Sequence, residues 1–327
     1  MTTTIEIGSV RADKPGRFEG TLPVGALPDG APVELPVIVL RGPKDGPVLW
    51  IHGCVHGNEY CTTFAIHEFL RSVEPSSLQG TVVALPILNL TAFRVHKRMS
   101  PFEGMNNGDL NRCFPGNEKG GFTERTGHVV YRALRRYATH FVDSHTAYTA
   151  DTSWALYADT GGEVSRVGRL MAEAFGHEHT LPTPVGTLQG SAMMTAAGDG
   201  IPSFLFEAGG IDDSFTPERV KDVAERLRNL SRAIGLLAGE VKSYGKLTTF
   251  SNFHWATSPH GGIFRPTVKC GNTVAEGEPI GSYYDLFGDE RVVARAPASG
   301  IVLAIHPGPI IPQGDVLIHI GLNPTQA

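Results

Sequence analysis

Cysteine is scarce in this chain and scattered. Cys54, Cys61, Cys113 and Cys270 form no Cys-x-x-Cys pair, so a disulfide framework is not indicated. Positive charge is also short: 28 Lys and Arg stand against 33 Asp and Glu, a net −5. No basic excess exists to neutralise a phosphate backbone, which argues against nucleic acid as a partner. Long apolar runs are missing. The longest, residues 82–90, is broken by Pro86 and falls short of the ~18 residues that would suggest a bilayer span. The N-terminus lacks the basic and apolar regions of a signal peptide, so a soluble, cytoplasmic protein is expected, with neither membrane nor nucleic acid as partner. Charged residues are only 19% and hydrophobic ones 41%, a balance that excludes a disordered chain. What is abundant is turn chemistry, with 39 Gly and 23 Pro, which points to many turns and a β-rich content.

At 327 residues the chain is long enough for about two domains. Residues 1–35, rich in Gly and Pro, read as an extended arm or edge hairpin. Short apolar runs at 36–40 and 47–51 bracket Gly42-Pro-Lys-Asp-Gly46, a strand–turn–strand pattern. The period then changes. Cys61, Ala65 and Phe69, with Ile66, Leu70 and Val73, have helical spacing. Residues 81–88, 141–143 and 203–207 read as strands, and 125–137, 163–175 and 217–237 as helices. Buried strands alternating with helices imply a mostly parallel α/β sheet, whose sites lie beyond the carboxyl ends of the strands. From 243 onward the helical pattern stops. Short apolar runs separated by Gly and Pro suggest a compact β domain of 243–327, after an α/β domain of 36–242.

Four segments carry candidate chemistry. His56-Gly57-Asn58-Glu59 follows an apolar strand and opens a helix, so imidazole and carboxylate can converge on one metal ion. With 13 His and 33 acids, about one His-x-x-acid pair is expected by chance, and His140 with Asp143 supplies such a decoy. The small residues around His56 let the backbone approach a site closely. Asp143-Ser144-His145 ends another strand. His145 there would complete a set of two His and one Glu with a fourth position open, a catalytic zinc arrangement. The alternative is an ordinary polar residue at a strand end, and Asp143 could support His145 from behind or simply end the strand. Glu207 closes the apolar run Phe204-Leu205-Phe206 before two glycines. A carboxylate there is costly to bury without a role, and it suits a base that takes a proton from water and returns it to a leaving amine. The alternative is a surface glutamate. In Asp109-Leu110-Asn111-Arg112, Arg112 offers a planar fork for a carboxylate and Asn111 an amide beside it. Arg94 and Arg98 lie upstream, and such an arginine could face an oxyanion. The alternative is solvated loop charge.

Taken together and in this order, His56-Gly-Asn-Glu59, Asp109-Leu-Asn-Arg112 with Phe114-Pro-Gly116, Asp143-Ser-His145 and Phe206-Glu207-Ala-Gly-Gly210 resemble the succinylglutamate desuccinylase/aspartoacylase family. These are zinc-dependent amidohydrolases related to metallocarboxypeptidases, and the likeness covers about residues 36–320. It implies a mostly parallel or mixed sheet flanked by helices, with a smaller C-terminal β domain similar to biotinyl/lipoyl barrels. It implies that His56, Glu59 and His145 hold one Zn²⁺ per chain and that Glu207 is base and then acid. Asn111 and Arg112 would hold the polar end of the substrate. Arg98 would polarise the carbonyl, with Arg94 as the fallback. The stretch Phe287-Gly-Asp-Glu-Arg291 has no lysine, so the β domain reads as a cover over the active-site mouth and not as a cofactor carrier. Tyr283 or Tyr284 either reaches the site or packs in the barrel.

The resulting expectation is removal of an acyl group from a small N-acyl amino acid by zinc-activated water. A carboxypeptidase acting on peptides and an inactive binding protein on the same shell are the alternatives. The acyl group, the amino acid half and the state of assembly, homo-oligomer included, are left open by the sequence.

Overall fold

Strand sequences in this chain are apolar on both faces because both faces of the sheet are covered. In the computed structural model, which describes residues 4–103 and 108–326, Trp50 and Phe141 point into one core, while Leu49, Ile51 and Val142 point into another. The N-terminal strands are β1 (Ile5–Ile7), β2 (Val10–Ala12), β3 (Gly16–Ala26), β4 (Pro32–Arg41) and β5 (Lys44–His52). Next come β6 (Gln79–Leu85), β7 (His140–His145), β8 (Ser153–Asp159), β9 (His179–Pro184) and β10 (Ser203–Ala208). The helices are α1 (Tyr60–Arg71), α2 (Leu90–Phe93), α3 (Phe122–Tyr137), α4 (Gly162–Phe175), α5 (Ala192–Gly198) and α6 (Pro217–Ala233).

With β11 (Thr248–Thr249) and β20 (Thr325–Gln326), strands β3 to β10 build a ten-stranded sheet in the order β20-β11-β9-β8-β10-β7-β5-β6-β4-β3. Its centre is parallel, through β6, β5, β7 and β10, but β8 runs antiparallel to β10. The sheet is therefore mixed. Residues 146–152 return the chain directly into β8, too short a path for the crossover that a parallel strand needs. Helices α1, α4 and α6 cover one face through Phe69, Met171 and Leu227. Helices α3 and α5 and the β1–β2 hairpin cover the other through Leu134, Met193 and Ile7. The last helix ends at Ala233, earlier than its apolar periodicity suggests, because Gly235 adopts a left-handed φ of 75° that stops it.

The C-terminal strands are β12 (Asn252–Thr257), β13 (Gly262–Pro266), β14 (Thr273–Val274), β15 (Pro279–Tyr284), β16 (Glu290–Arg295), β17 (Gly300–Ile305), β18 (Ile310–Ile311) and β19 (Val316–Leu322). They form two four-stranded sheets, β12-β19-β17-β14 and β16-β15-β13-β18. Phe264, Ile280, Val302 and Ile318 share their core. No helix among the described residues is long and apolar enough to cross a membrane.

Candidate metal centre

Three neighbouring parallel strands end along the same edge of the sheet. Register pairs His52 of β5 with Asp143 of β7, and His145 of β7 with Glu207 of β10. Alternation places these residues on the face of Trp50, Phe141 and Leu205, the side covered by α3 and α5. The site thus lies at the carboxyl edge of the sheet. The loop after β5 turns back sharply. Cys54 takes a φ of 51°, and Gly57 passes so close to α2 that a Cβ would lie 2.2 Å from the Ala92 carbonyl carbon. Only glycine fits there. Glu59 then stands at the N-cap of α1.

This path brings His56 and Glu59 to His145. His56 Nδ1 lies 2.6 Å from Glu59 Oε1, and His145 Nδ1 lies 3.0 Å from Glu59 Oε2. One ligand atom from each of the three residues falls within 4.8 Å of the others, so together they could hold a metal ion. All three are buried. The far nitrogens are also engaged: His56 Nε2 is 3.1 Å from Asp109 Oδ1, and His145 Nε2 is 3.0 Å from Asp143 Oδ1. A metal-binding imidazole is oriented this way, with its distal N–H donated to a carboxylate.

Electrostatics match the geometry. Burial pushes the Glu59 carboxyl up, but the charges of His56 and His145 and their hydrogen bonds outweigh it and carry the group down to about 2. The carboxylates of Asp143 and Glu59 overcome burial and hold His145 well above the usual histidine value. The buried Glu59 carboxylate is thus stabilised by neighbouring positive charge, which a divalent cation would also supply.

Glu207 differs. Its Oε2 is buried without a hydrogen-bond partner among the described residues. Burial pushes its carboxyl up to about 8, with His145 and Arg98 opposing and Glu59 and Asp143 adding to the rise. A protonatable carboxyl with a free oxygen beside a cation site is equipped to move protons.

The remaining candidates separate. Arg98 lies 3.8 Å from Glu59 and 3.4 Å from Asp109, half-exposed at the rim. Arg94 caps α2, is exposed and makes no ion pair among the described residues. Residues 104–107 of the loop between Arg98 and Asp109 lie outside the described residues. Asn111 is buried, its amide 3.4 Å from His145 Nε2 and its Oδ1 accepting the Ala192 N–H at the start of α5. Arg112 is exposed and donates to the Asn111 carbonyl at 2.8 Å. The decoy His140 stays at the far end of β7, hydrogen-bonded to Thr139. Tyr283 and Tyr284 both stay in the C-terminal unit. Tyr283 bonds Ser258 at 2.6 Å and Tyr284 approaches Glu290.

Sequence reasoning passed over three participants. Asp109 sits inside a motif quoted for its neighbours, and its link to His56 needed only the question of what holds that ring. His52 falls one residue past the apolar run of 47–51 and was given no role. Tyr148, three residues past His145, has its ring 5.5 Å from His306 of the C-terminal unit, a contact that only the fold reveals.

The model of the succinylglutamate desuccinylase/aspartoacylase catalytic domain matches residues 45–234. The N-alpha-acetyl-L-2,4-diaminobutyric acid deacetylase of Halomonas elongata is 28% identical over 297 residues, covering 87% of this chain and 84% of the relative. Among solved structures, a succinylglutamate desuccinylase/aspartoacylase from Rhodobacter sphaeroides superposes with a TM-score of 0.83 at 23% identity, covering 98% of each chain. The product-bound ectoine utilization protein EutE (DoeB) from Ruegeria pomeroyi gives 0.82 at 24% identity, covering 96% of this chain and 98% of that one. These two likenesses show the fold.

Proposed function

Since the chain belongs to the succinylglutamate desuccinylase/aspartoacylase family, we propose that it is a zinc-dependent amidohydrolase that removes the acyl group from a small N-acyl amino acid. One observation carries this reading. The Nδ1 atoms of His56 and His145 converge on the two oxygens of Glu59, and one strand away, in register with His145, Glu207 holds an Oε2 without a hydrogen-bond partner among the described residues. Two neutral imidazoles and a carboxylate are a donor set suited to zinc. His56, Glu59 and His145 would hold the ion, which when bound supplies Lewis acidity to a water molecule and to the scissile carbonyl.

The chain's own groups do the rest. Glu207, through its free Oε2, takes a proton from the attacking water and hands it to the departing amine. Arg98, whose guanidinium already lies at the rim beside Glu59, faces the carbonyl oxygen as negative charge grows on it. Arg112 offers its fork to a substrate carboxylate, while Asn111 ties the neighbouring backbone to His145 and α5. The C-terminal unit, read as residues 243–327, touches the loop that follows His145. Tyr148 meets His306, and the Cys270 N–H bonds Asp151 at 3.1 Å. A unit placed there narrows the approach and favours small substrates over peptides.

The test is a panel assayed with zinc-loaded protein: N-acetyl-diaminobutyrate, N-acetyl-aspartate, N-succinyl-glutamate and dipeptides. Turnover of an N-acyl amino acid well above every dipeptide is expected, and preference for dipeptides would overturn the substrate assignment. Glu207→Gln should keep its zinc and lose roughly 10²–10⁴-fold in kcat. Near-normal turnover by that variant would refute the role given to Glu207.

A further inference from the structure

His52 touches no candidate ligand, yet it is fully buried at the end of β5. Its Nε2 lies 2.9 Å from Asp143 Oδ1, the same oxygen that lies 3.0 Å from His145 Nε2. The second oxygen, Asp143 Oδ2, accepts the Met193 N–H of α5 at 3.2 Å. Asp143 therefore receives three donors from three separate elements. His52 is clamped in turn, with its ring edge-on to Phe141 at 4.7 Å and stacked with Phe114 at 6.3 Å. Its carbonyl accepts the Ser144 hydroxyl. A residue needed only to fill this aromatic pocket would not require an imidazole. The buried Nδ1 finds no partner among the described residues, a cost of about 1–3 kcal/mol that a purely apolar side chain would avoid.

We propose that His52 is a positioning residue of the metal centre: through the shared oxygen of Asp143 it fixes the orientation in which His145 presents Nδ1 to the ion. The inference rests on the zinc reading above. Its physical content is rotational. With His52 in place, Asp143 has both lone pairs of Oδ1 occupied and one set of positions to adopt. Without that donor, the buried carboxylate turns toward other N–H groups or water and releases the His145 ring, which must then be re-ordered when a metal binds. An electronic effect runs the other way. A carboxylate relieved of His52 pulls harder on the His145 proton and makes Nδ1 a better ligand. The sign of the change in affinity therefore decides between the two.

The experiment measures zinc affinity by chelator competition in three variants and the wild type, with urea midpoints of the metal-free proteins alongside. His52→Phe keeps the ring packing and removes the donor. His52→Gln carries an amide nitrogen to the place of Nε2, and His52→Asn carries one that stops short of Asp143. Loss of a direct partner of a metal-bound histidine costs about 10–100-fold in affinity. One residue further out, the Phe variant is expected at the low end, about 10-fold weaker, with Gln restored to within about threefold and Asn weak like Phe. Should the Phe variant not fold, Gln against Asn carries the same contrast. Equal or tighter zinc binding by the Phe variant, or Gln as weak as Asn, would overturn the role of His52. Failure of the wild type to take up zinc would instead remove the metal reading beneath it.

Discussion

Acidification from pH 7.5 to 5.0 should weaken the fold in part through one side chain far from the proposed chemistry, His177. His177 follows α4, is buried against Phe175 and Phe206, and donates from Nδ1 to the Trp154 carbonyl at 3.1 Å. Burial first, then the charge of Arg226, pushes it from 6.5 down to about 3. A histidine held neutral in the folded state contributes stability that is complete above its unfolded value. That stability is lost as the pH falls toward the folded value, because the unfolded chain takes up the proton first. Linkage with these two values gives a loss of about 2 kcal/mol between pH 7.5 and 5.0. His145 has the opposite sign: its raised value contributes stability below about pH 6.5 that fades as the pH rises. The comparison must therefore be with a variant. His177→Asn keeps an N–H for the Trp154 carbonyl and cannot titrate. Urea unfolding of both zinc-free proteins at the two pH values is the assay. Wild type should lose about 2 kcal/mol more than the variant on acidification. Equal losses would refute the reasoning that His177 is held neutral by burial.

Three further outcomes follow from named contacts. Gly57→Ala would drive a Cβ to within 2.2 Å of α2 backbone, so the variant should lose about 1–3 kcal/mol and bind zinc more weakly, since His56 adjoins it; unchanged zinc affinity would contradict the close-approach argument. Arg98→Ala should lower kcat/KM by about 10²–10³-fold, whereas Arg94→Ala, exposed and unpaired among the described residues, should stay within about twofold; the reverse order would reassign the oxyanion role. Tyr283→Phe loses the bond to Ser258 and should cost about 1 kcal/mol in unfolding with no change in kcat/KM, and a loss of activity would place that tyrosine in the reaction.

Much of this was legible in the chain itself. Residues 47–51 and 203–207 read as buried strands because both faces of the sheet are covered, and α1 and α3 showed their apolar stripes. Other strands were hidden for physical reasons. β9 contains Pro182 and Pro184 and β3 is broken by Gly20 and Pro23, so neither has the uninterrupted β-branched texture that signals a strand. The mixed direction of the sheet hinges on the short return through residues 146–152, which periodicity does not report. The family resemblance is shown by the match over residues 45–234. At the site, His56, Glu59, His145 and Glu207 were visible as polar residues closing apolar strands or opening a helix. Their supports were not. Asp109, His52 and the first N–H groups of α5 act through long-range pairing, His52 with Asp143 across a strand and Ala192 with Asn111 across the fold, and no local pattern encodes such a contact.

The proposed chemistry requires His56, Glu59 and His145 to share one cation. Elemental analysis of zinc-loaded and then dialysed protein, wild type beside His145→Ala and Glu207→Gln, tests it most directly. About one zinc per chain is expected in the wild type and in Glu207→Gln, and almost none in His145→Ala, following the ligand count of a catalytic zinc site. Zinc retained in full by the His145 variant, or absent from the wild type, would contradict it.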